Sequence, residues 1–130
     1  MSELLFNAAR SVMGRAHAPY SKFQVGAAIL AANGEIYSGC NVENAAYPEG
    51  WCAETSAISS MIANGQNQII EIVVIAEKMP RVTPCGGCRQ RIAEFGSADT
   101  KVHLCDETGI VETVTLSDLL PKSFSLTNSV

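Results

Sequence analysis

Apolar residues recur along the chain with two spacings, one typical of helices and one typical of strands. Residues 3–15 place apolar side chains three and four positions apart, which predicts an amphipathic helix. The run 69–76, IIEIVVIA, is almost continuously β-branched, which favours a strand covered on both faces. The same periodicities predict strands at 24–30 and 35–40, helices at 52–63 and 88–95, strands at 101–105 and 111–115, and a short helix at 118–120.

Turn-forming residues separate these segments. Asn33-Gly34 lies between the first two strands and predicts a tight hairpin. Asn64-Gly65 follows the second helix, as expected of a left-handed C-terminal cap. Ser117 is placed to cap the last helix, which Pro121 ends. The order α-β-β-α-β-α-β-β-α has long crossovers between apolar strands, and it therefore predicts a helix-covered sheet with parallel pairs.

The amino-acid composition restricts the number of domains and the kind of partner that we expect. A chain of 130 residues fits one domain, expected over 1–130, and 47% apolar residues suffice for a core. The net charge is −4, and the nine Lys and Arg residues are scattered rather than gathered in a basic stripe. A polynucleotide partner is therefore disfavoured, and a small, weakly charged substrate fits better.

The N-terminal stretch carries Glu3 and lacks the apolar core of a signal peptide, and no segment is long enough to span a bilayer. We therefore expect a cytoplasmic protein with no membrane partner, in a compartment that keeps thiols reduced. Five cysteines, two of them in a C-x-x-C pair, then favour metal binding or redox chemistry over a disulfide framework.

Two cysteine motifs stand at predicted loop-to-helix junctions. Cys52-Ala53-Glu54 begins one helix, and Pro84-Cys85-Gly86-Gly87-Cys88 precedes the next. Unpaired N–H groups and the positive end of a helix dipole favour the thiolate over the thiol at such positions. Thiolates are preferred zinc ligands, so Cys52, Cys85 and Cys88 are the candidate metal ligands.

Three protein ligands leave a tetrahedral zinc ion with one open position, which distinguishes a catalytic site from a closed structural one. A water molecule there becomes acidic, with a pKa of roughly 7 in favourable sites. Glu54, two residues after Cys52, is the candidate for moving protons to and from that water. Zinc deaminases with three Cys ligands and a non-ligand Glu have this arrangement.

Other interpretations of these cysteines remain. The C-x-x-C pair is also compatible with a redox pair or with half of a structural zinc site. Cys40 or Cys105 would be the fourth ligand of a closed site. For both of these cysteines the residue pattern favours burial as small apolar side chains instead.

Five separated blocks resemble the small, homotetrameric type of cytidine deaminase, over about residues 3–125. The matching blocks are Ala18-Pro19-Tyr20-Ser21-Lys22-Phe23 with Val25-Gly26-Ala27-Ala28, Asn41-Val42-Glu43-Asn44-Ala45 with Tyr47-Pro48, Cys52-Ala53-Glu54, Pro84-Cys85-Gly86-Gly87-Cys88-Arg89-Gln90, and Leu119-Leu120-Pro121 with Ser123-Phe124. The resemblance implies an α/β fold: one three-layer domain with a mixed sheet of about five strands and helices on both faces. It also implies a homotetramer with shared active sites.

The resemblance assigns substrate contacts residue by residue. Phe23 would pack near the base and ribose, and Asn41 and Glu43 would hydrogen-bond the ribose hydroxyl. Ala45 and Tyr47 would line the pocket, partly from a neighbouring subunit. The alternative interpretation of Asn41 is an ordinary turn residue, and that of Glu43 is a solvated loop charge.

The C-terminal Phe124 matches an aromatic residue that the family extends across to cover the base. An anchor for the chain end is the competing interpretation of this residue. Trp51, directly before a candidate ligand, has no physical explanation from the sequence.

One position departs from the family pattern. The family usually carries Arg directly after C-A-E, where it hydrogen-bonds the cysteine sulfurs, but this chain carries Thr55. With less positive charge near the thiolates, we expect a slower enzyme or a pH–rate profile displaced upward. Arg89 is the candidate for supplying the missing charge.

The resemblance implies hydrolytic deamination of cytidine and 2′-deoxycytidine to uridine and 2′-deoxyuridine, a reaction of pyrimidine salvage. A related deaminase acting on blasticidin S or a modified cytidine is the nearer alternative. A zinc-stabilised domain without enzymatic turnover is the more distant alternative. A nucleic-acid editing enzyme is disfavoured by the net negative charge of the chain.

Overall fold

The computed structural model describes residues 1–126, and residues 127–130 of the expected domain lie outside this part. Its elements in chain order are α1 (Ser2–Met13), β1 (Val25–Ala31), β2 (Ile36–Cys40), a one-turn 3-10 helix (Tyr47–Glu49), α2 (Ala53–Ala63), β3 (Ile69–Ala76), α3 (Gly86–Phe95), β4 (Lys101–Asp106), β5 (Gly109–Thr115) and α4 (Leu116–Leu119). The elements expected from residue periodicity are therefore all present. No helix within residues 1–126 has the length and apolar character needed to cross a membrane.

The five strands form one mixed sheet in the order β2-β1-β3-β4-β5. The β3 and β4 strands are parallel, with Val73 opposite His103, and the other neighbouring pairs are antiparallel. The parallel pair follows from chain connectivity, because α3 lies in the crossover between β3 and β4. The predicted parallel pairing is confirmed.

Helices cover both faces of this sheet. In β3, Ile72 and Val74 face a core shared with α2 and α3, whereas Val73 and Ile75 face a second core shared with α1. Side chains of a strand alternate between faces, so the continuous apolar run in β3 supplies both cores. The predicted three-layer α/β fold is confirmed.

A close contact between β2 and α2 sets the position of the second helix. A Cβ atom on Gly39 would lie 2.3 Å from the backbone nitrogen of Ala57 and 2.6 Å from Ser56 Cβ. Only glycine permits this separation, because real Cβ atoms do not approach other heavy atoms so closely. The N-terminal half of α2 is thereby held against the sheet.

The turns agree with the sequence except at the last helix. Gly34 and Gly65 adopt positive φ angles of +84° and +86°, as their turn and cap positions require. The prediction that Ser117 caps the last helix is wrong. Thr115 is the cap: its side chain accepts from the Asp118 amide, and the Asp118 carboxylate accepts from the Thr115 amide. This reciprocal capping box requires an acid three residues after the cap, which only Thr115 has.

Candidate active site

Two helix N-termini bring the three candidate cysteines together. Cys52 is the N-cap residue of α2, Cys85 is the N-cap residue of α3, and Cys88 lies in the first turn of α3. Their sulfur atoms all lie within 4.8 Å of one another. The α3 helix begins two residues earlier than predicted, so one cysteine precedes the helix and the other lies inside it.

Hydrogen bonding among the thiols favours one thiolate. A hydrogen bond from Cys88, helped by one from Cys85 and by the charge of Arg91, lowers the pKa of Cys52 to about 6 against the opposing effect of burial. The same bond to Cys52, together with burial, raises the pKa of Cys88. Three soft sulfur donors converging at the positive ends of two helices fit a thiolate-bound metal ion such as zinc.

Neither of the remaining cysteines joins this cluster. Cys105 is fully buried in the core beneath α1, on the opposite face of the sheet, and burial raises its pKa to about 12. Cys40 ends β2 and is half-buried. Within residues 1–126, the group of acid, His and Cys side chains able to hold an ion consists of the three clustered cysteines. This arrangement disfavours a closed four-ligand site.

Glu54 lies beside the sulfur cluster. It is the second residue of α2 and is only 5% exposed. Burial is the main cause that raises the pKa of its carboxyl group, and the Cys52 charge adds to it, whereas a hydrogen bond with Cys88 opposes it. A buried carboxyl group with a raised pKa exchanges protons more readily near neutral pH than an exposed one does.

A second acid, Glu43, is held in the loop after β2. Its Oε1 accepts from the backbone amides of Tyr20 at 3.0 Å and Ser21 at 3.1 Å, and its Oε2 accepts from the Ser21 hydroxyl. These bonds, led by the hydroxyl, lower the pKa of the Glu43 carboxyl. The backbone of Glu43 also donates to the His17 carbonyl at 2.8 Å. Glu43 is thus a fixed carboxylate and not a freely solvated loop charge.

An open cavity of about 340 Å³ adjoins this carboxylate, which is within the size range of small-ligand sites. The rings of Tyr20 and Tyr47 form part of its wall, with centroids 6.0 Å apart and planes inclined by 60°. Its lining residues are Tyr20, Ser21, Glu43, Asn44, Tyr47 and Gly50. Tyr47 remains 75% exposed, so one side of the cavity is open in the single chain.

Asn41 and Phe23 are linked directly. The Asn41 side chain accepts from the Val25 amide at 2.9 Å and donates to the Phe23 carbonyl at 2.8 Å. Asn41 thereby fixes the backbone that carries the half-buried Phe23 into β1. An amide group has further donor and acceptor capacity, so these bonds leave room for a ligand contact.

Phe124 and Ala45 lie outside this cavity wall. Phe124 is 71% exposed and lines a separate cavity of about 640 Å³ beside the ends of α3 and α4. Its carbonyl accepts from the Gln90 side chain at 3.0 Å, which ties the C-terminal segment to α3. Ala45 is exposed in the loop before the 3-10 helix. The single chain therefore does not bring Phe124 to the Glu43 cavity.

Trp51 has a backbone role. Its amide donates to the Val42 carbonyl at 2.8 Å and its carbonyl accepts from the Val42 amide at 2.9 Å, which joins the Glu43 loop to the start of α2. Its side chain is 49% exposed, and nothing in the structure explains the choice of tryptophan.

Arg91 also belongs to the site, although no sequence motif singles it out. Arg89 was the expected source of positive charge, but its three guanidinium nitrogens donate to oxygen atoms of Pro84, Leu119 and Thr83. The Arg91 guanidinium instead donates to Cys88 Sγ at 3.6 Å. The expectation for Arg89 is therefore corrected. The three-residue helical spacing from Cys88 to Arg91 was a usable signal, because such residues share a helix face.

Comparisons with known proteins agree with this geometry. The pattern described as the cytidine and deoxycytidylate deaminase zinc-binding region matches residues 1–104. A cytidine deaminase of Sporosarcina psychrophila is 42% identical over 123 residues, covering 95% of this chain and 90% of that protein. The crystal structure of cytidine deaminase from Burkholderia pseudomallei is similar with a TM-score of 0.89 and 39% identity, over 95% of this chain and 99% of that one. The corresponding structure from Mycobacterium tuberculosis gives 0.83 and 31%, over 95% and 97%. The chain therefore belongs to the cytidine and deoxycytidylate deaminase family.

Proposed function

We propose that the chain is a cytidine deaminase, which converts cytidine and 2′-deoxycytidine with water to uridine and 2′-deoxyuridine and releases ammonia. The observation that carries this proposal is the cluster of three cysteine sulfurs within 4.8 Å, with the buried Glu54 beside it. This combination of three thiol ligands and a neighbouring non-ligand carboxyl group suits hydrolysis at an amidine carbon. Such a reaction belongs to pyrimidine salvage.

The metal of this site is proposed to be zinc, held by Cys52, Cys85 and Cys88. Three soft donors and no fourth protein ligand within the described residues suit a tetrahedral ion that keeps one position for water. When bound, zinc supplies Lewis acidity that makes this water a nucleophile near neutral pH.

Glu54 is proposed to move the protons. Its carboxylate takes a proton from the attacking water and delivers it to N3 of the ring as the oxygen bonds to C4. It then transfers the remaining proton of that oxygen to the amino group, which leaves as ammonia when the C4–N bond breaks. Burial of Glu54 suits both transfers, because a raised pKa brings the acid and base forms closer in free energy at neutral pH.

Recognition of the sugar is assigned to the cavity at Glu43. A fixed carboxylate accepts hydrogen bonds from a ribose hydroxyl, and its lowered pKa keeps it charged in the neutral range. Asn41 contributes its remaining hydrogen-bonding capacity, and Phe23 packs beside the base and ribose. A free base without its sugar would leave these polar groups unpaired and would bind less well.

We further propose a cytoplasmic homotetramer with shared sites. Several large apolar side chains are exposed in the single chain around the cavity, which suits burial against neighbouring subunits. They are Tyr20, Val42, Tyr47 and Trp51, and Phe124 is exposed beside its separate cavity at the ends of α3 and α4. In such an assembly Ala45 and Tyr47 line a neighbour's pocket and Phe124 covers a base. Free thiols at the metal cluster suit a reducing compartment.

The direct test incubates purified protein with cytidine or 2′-deoxycytidine and follows loss of cytosine absorbance, with a zinc assay on the same sample. We expect turnover of both nucleosides and about one zinc per chain. Glu54→Gln should reduce turnover by a factor of about 10² to 10⁴ and retain zinc. Glu35→Gln, a change at an exposed acid in the β1–β2 turn, should alter neither.

The same assay separates the alternatives. Turnover of blasticidin S or a modified cytidine in place of the plain nucleosides would identify a related deaminase. Bound zinc without turnover of any aminopyrimidine nucleoside would indicate a zinc-stabilised domain and would overturn the proposal.

A further inference from the structure

A guanidinium group contacts the sulfur cluster from α3. Arg91 NH1 lies 3.6 Å from Cys88 Sγ, one helical turn after this cysteine, and is placed to donate to it. Cys88 is fully buried, whereas Arg91 is exposed to solvent on its outer side. The guanidinium therefore approaches the cluster from the protein surface.

A glycine makes room for this approach. A Cβ atom on Gly87 would lie 3.3 Å from Arg91 NH1 and 3.9 Å from its Cζ, so the guanidinium packs against the bare Cα of Gly87. The adjacent Gly86 differs, because a Cβ atom there would meet nothing within 4 Å. The two neighbouring glycines thus offer a matched pair of positions, one against Arg91 and one in open space.

The charges around the cluster show why this contact matters. Three thiolates and one Zn²⁺ ion carry a formal charge of −1, and the Glu54 carboxylate adds negative charge nearby. Thr55 adds no charge, and its buried hydroxyl has no hydrogen-bond partner in the described part of the chain. The nitrogen atoms of Arg89 are bonded to oxygens. Arg91 is thus the cation that the structure places on a ligand sulfur.

We propose that Arg91 is a positioning residue that acts on the metal through Cys88, an inference that rests on the proposed three-cysteine zinc site. Its hydrogen bond and positive charge draw electron density from the Cys88 sulfur. A less electron-rich sulfur donates less to the metal, and the metal is then a stronger Lewis acid toward water. Arg91 touches neither the substrate nor the reacting atoms.

Cobalt substitution tests this electronic role without relying on activity. The full-length protein is loaded with Co²⁺, and the sulfur-to-cobalt charge-transfer band is recorded for wild type, Arg91→Gln and Arg91→Lys. Losing the guanidinium leaves a more electron-rich sulfur, so we expect the band of Arg91→Gln to move to longer wavelength. Arg91→Lys keeps the charge and should lie between the two. Arg10→Gln, the same charge change on the exposed side of α1, should leave the band at the wild-type position.

The zinc enzyme supplies a second readout. In Arg91→Gln, kcat for cytidine should fall about three- to tenfold with little change in KM, because the altered interaction is with the metal ligand and not with the substrate. The contact between Arg91 and the buried Cys88 sulfur is direct and partly buried, so salt screens it little, and the difference from wild type should persist between about 0.01 M and about 1 M salt. An unchanged kcat in Arg91→Gln would contradict the proposed role of Arg91.

Substitutions at Gly86 and Gly87 give an independent test in which Arg91 itself is retained. Gly87→Ala should shift the guanidinium by a few tenths of an ångström and move the cobalt band slightly in the same direction as Arg91→Gln. Gly86→Ala, with the same gain in helix propensity, should leave the band unmoved. Cobalt bound with an unmoved band in Arg91→Gln would overturn this inference and leave the proposed metal site intact. A wild-type protein that binds neither zinc nor cobalt at these cysteines would overturn the proposed metal site itself.

Discussion

The carboxylate of Glu43 accepts hydrogen bonds from both the backbone amide and the hydroxyl of Ser21, twenty-two positions earlier in the chain. Removing the hydroxyl in Ser21→Ala leaves the carboxylate less constrained. We expect KM for cytidine to rise about three- to tenfold with kcat nearly unchanged, because sugar binding and not chemistry is weakened. Steady-state kinetics on Ser21→Ala check this, with the exposed Ser59→Ala on α2 as control. A fall in kcat at constant KM would contradict it.

The same contact sets a pH dependence. The Ser21 hydroxyl is the largest of the interactions that lower the pKa of Glu43, so the carboxylate stays charged as the solution becomes acidic. Binding that needs this carboxylate is lost as the pH falls through its lowered pKa. In Ser21→Ala this pKa rises toward its usual value, and the acid limb of kcat/KM should move to higher pH. An unmoved acid limb would separate Glu43 from nucleoside binding.

The buried carboxyl group of Glu54 should support catalysis but should make the folded state less stable above the usual carboxyl pKa. Below the usual carboxyl pKa the group is protonated in both folded and unfolded chains, and burial of the neutral acid costs little. As the pH rises through that value, the unfolded chain ionises while the folded chain resists, so the folded state loses stability until the raised folded pKa is passed. Glu54→Gln should therefore have a higher Tm than wild type at pH about 8, and this difference should vanish below pH about 4.

The activity of Glu54→Gln should fall by a factor of about 10² to 10⁴, which is the usual contribution of a positioned proton-transfer group. Thermal melts at the two pH values and kcat measurements on the same preparation check both outcomes. A variant that is inactive and also less stable at pH about 8 would show that Glu54 is a structural acid.

The contact between Gly39 and α2 should be intolerant of any side chain. Gly39→Ala places a Cβ atom 2.3 Å from a backbone nitrogen of α2, which only movement of the helix relieves. We expect a loss of about 3 kcal/mol or more in the free energy of unfolding, measured by urea denaturation. Gly14→Ala is the control, because its Cβ would meet its nearest atom at 3.7 Å and its backbone is helical.

The variant Thr55→Arg also tests how added positive charge at the metal site affects the rate. We still predict that the enzyme is slower than its Arg-bearing relatives. The difference in rate should be small, because the Arg91 guanidinium already contacts Cys88. Thr55→Arg should therefore change kcat less than about threefold in wild type and should restore most of the loss in Arg91→Gln. Kinetics on the two single variants and the double variant check this. Additive effects in the double variant would show that the two positions act independently.

The local spacing of apolar and polar residues was sufficient to predict most of the fold. The β3 run predicted a strand covered on both faces, and the structure buries it between α1 on one side and α2 with α3 on the other. The cap of α4 was misassigned because Ser117 and Thr115 are both plausible caps, and only the acid at Asp118 distinguishes them. Helix boundaries depend on such reciprocal contacts.

The cysteine cluster was predictable because each motif is short and lies at a helix start. The spacing of Arg91 from Cys88 indicates a shared helix face, but only the side-chain contacts show that Arg91, and not Arg89, donates to the sulfur. The sequence did not predict the hydrogen bonds that fix the Glu43 carboxylate, for a related reason. Its donors come from Tyr20 and Ser21, which the loop brings close only after β1 and β2 have paired.

The chain between Cys52 and Cys85 contains the whole of α2 and β3. An ion held at both ends of this segment would act as a cross-link that closes a loop of about thirty residues around the central strand of the sheet. Chain closure of this kind disfavours the unfolded ensemble, so loss of the ion would weaken the fold as well as the chemistry. The abundance of folded protein in a cell would then follow the supply of metal.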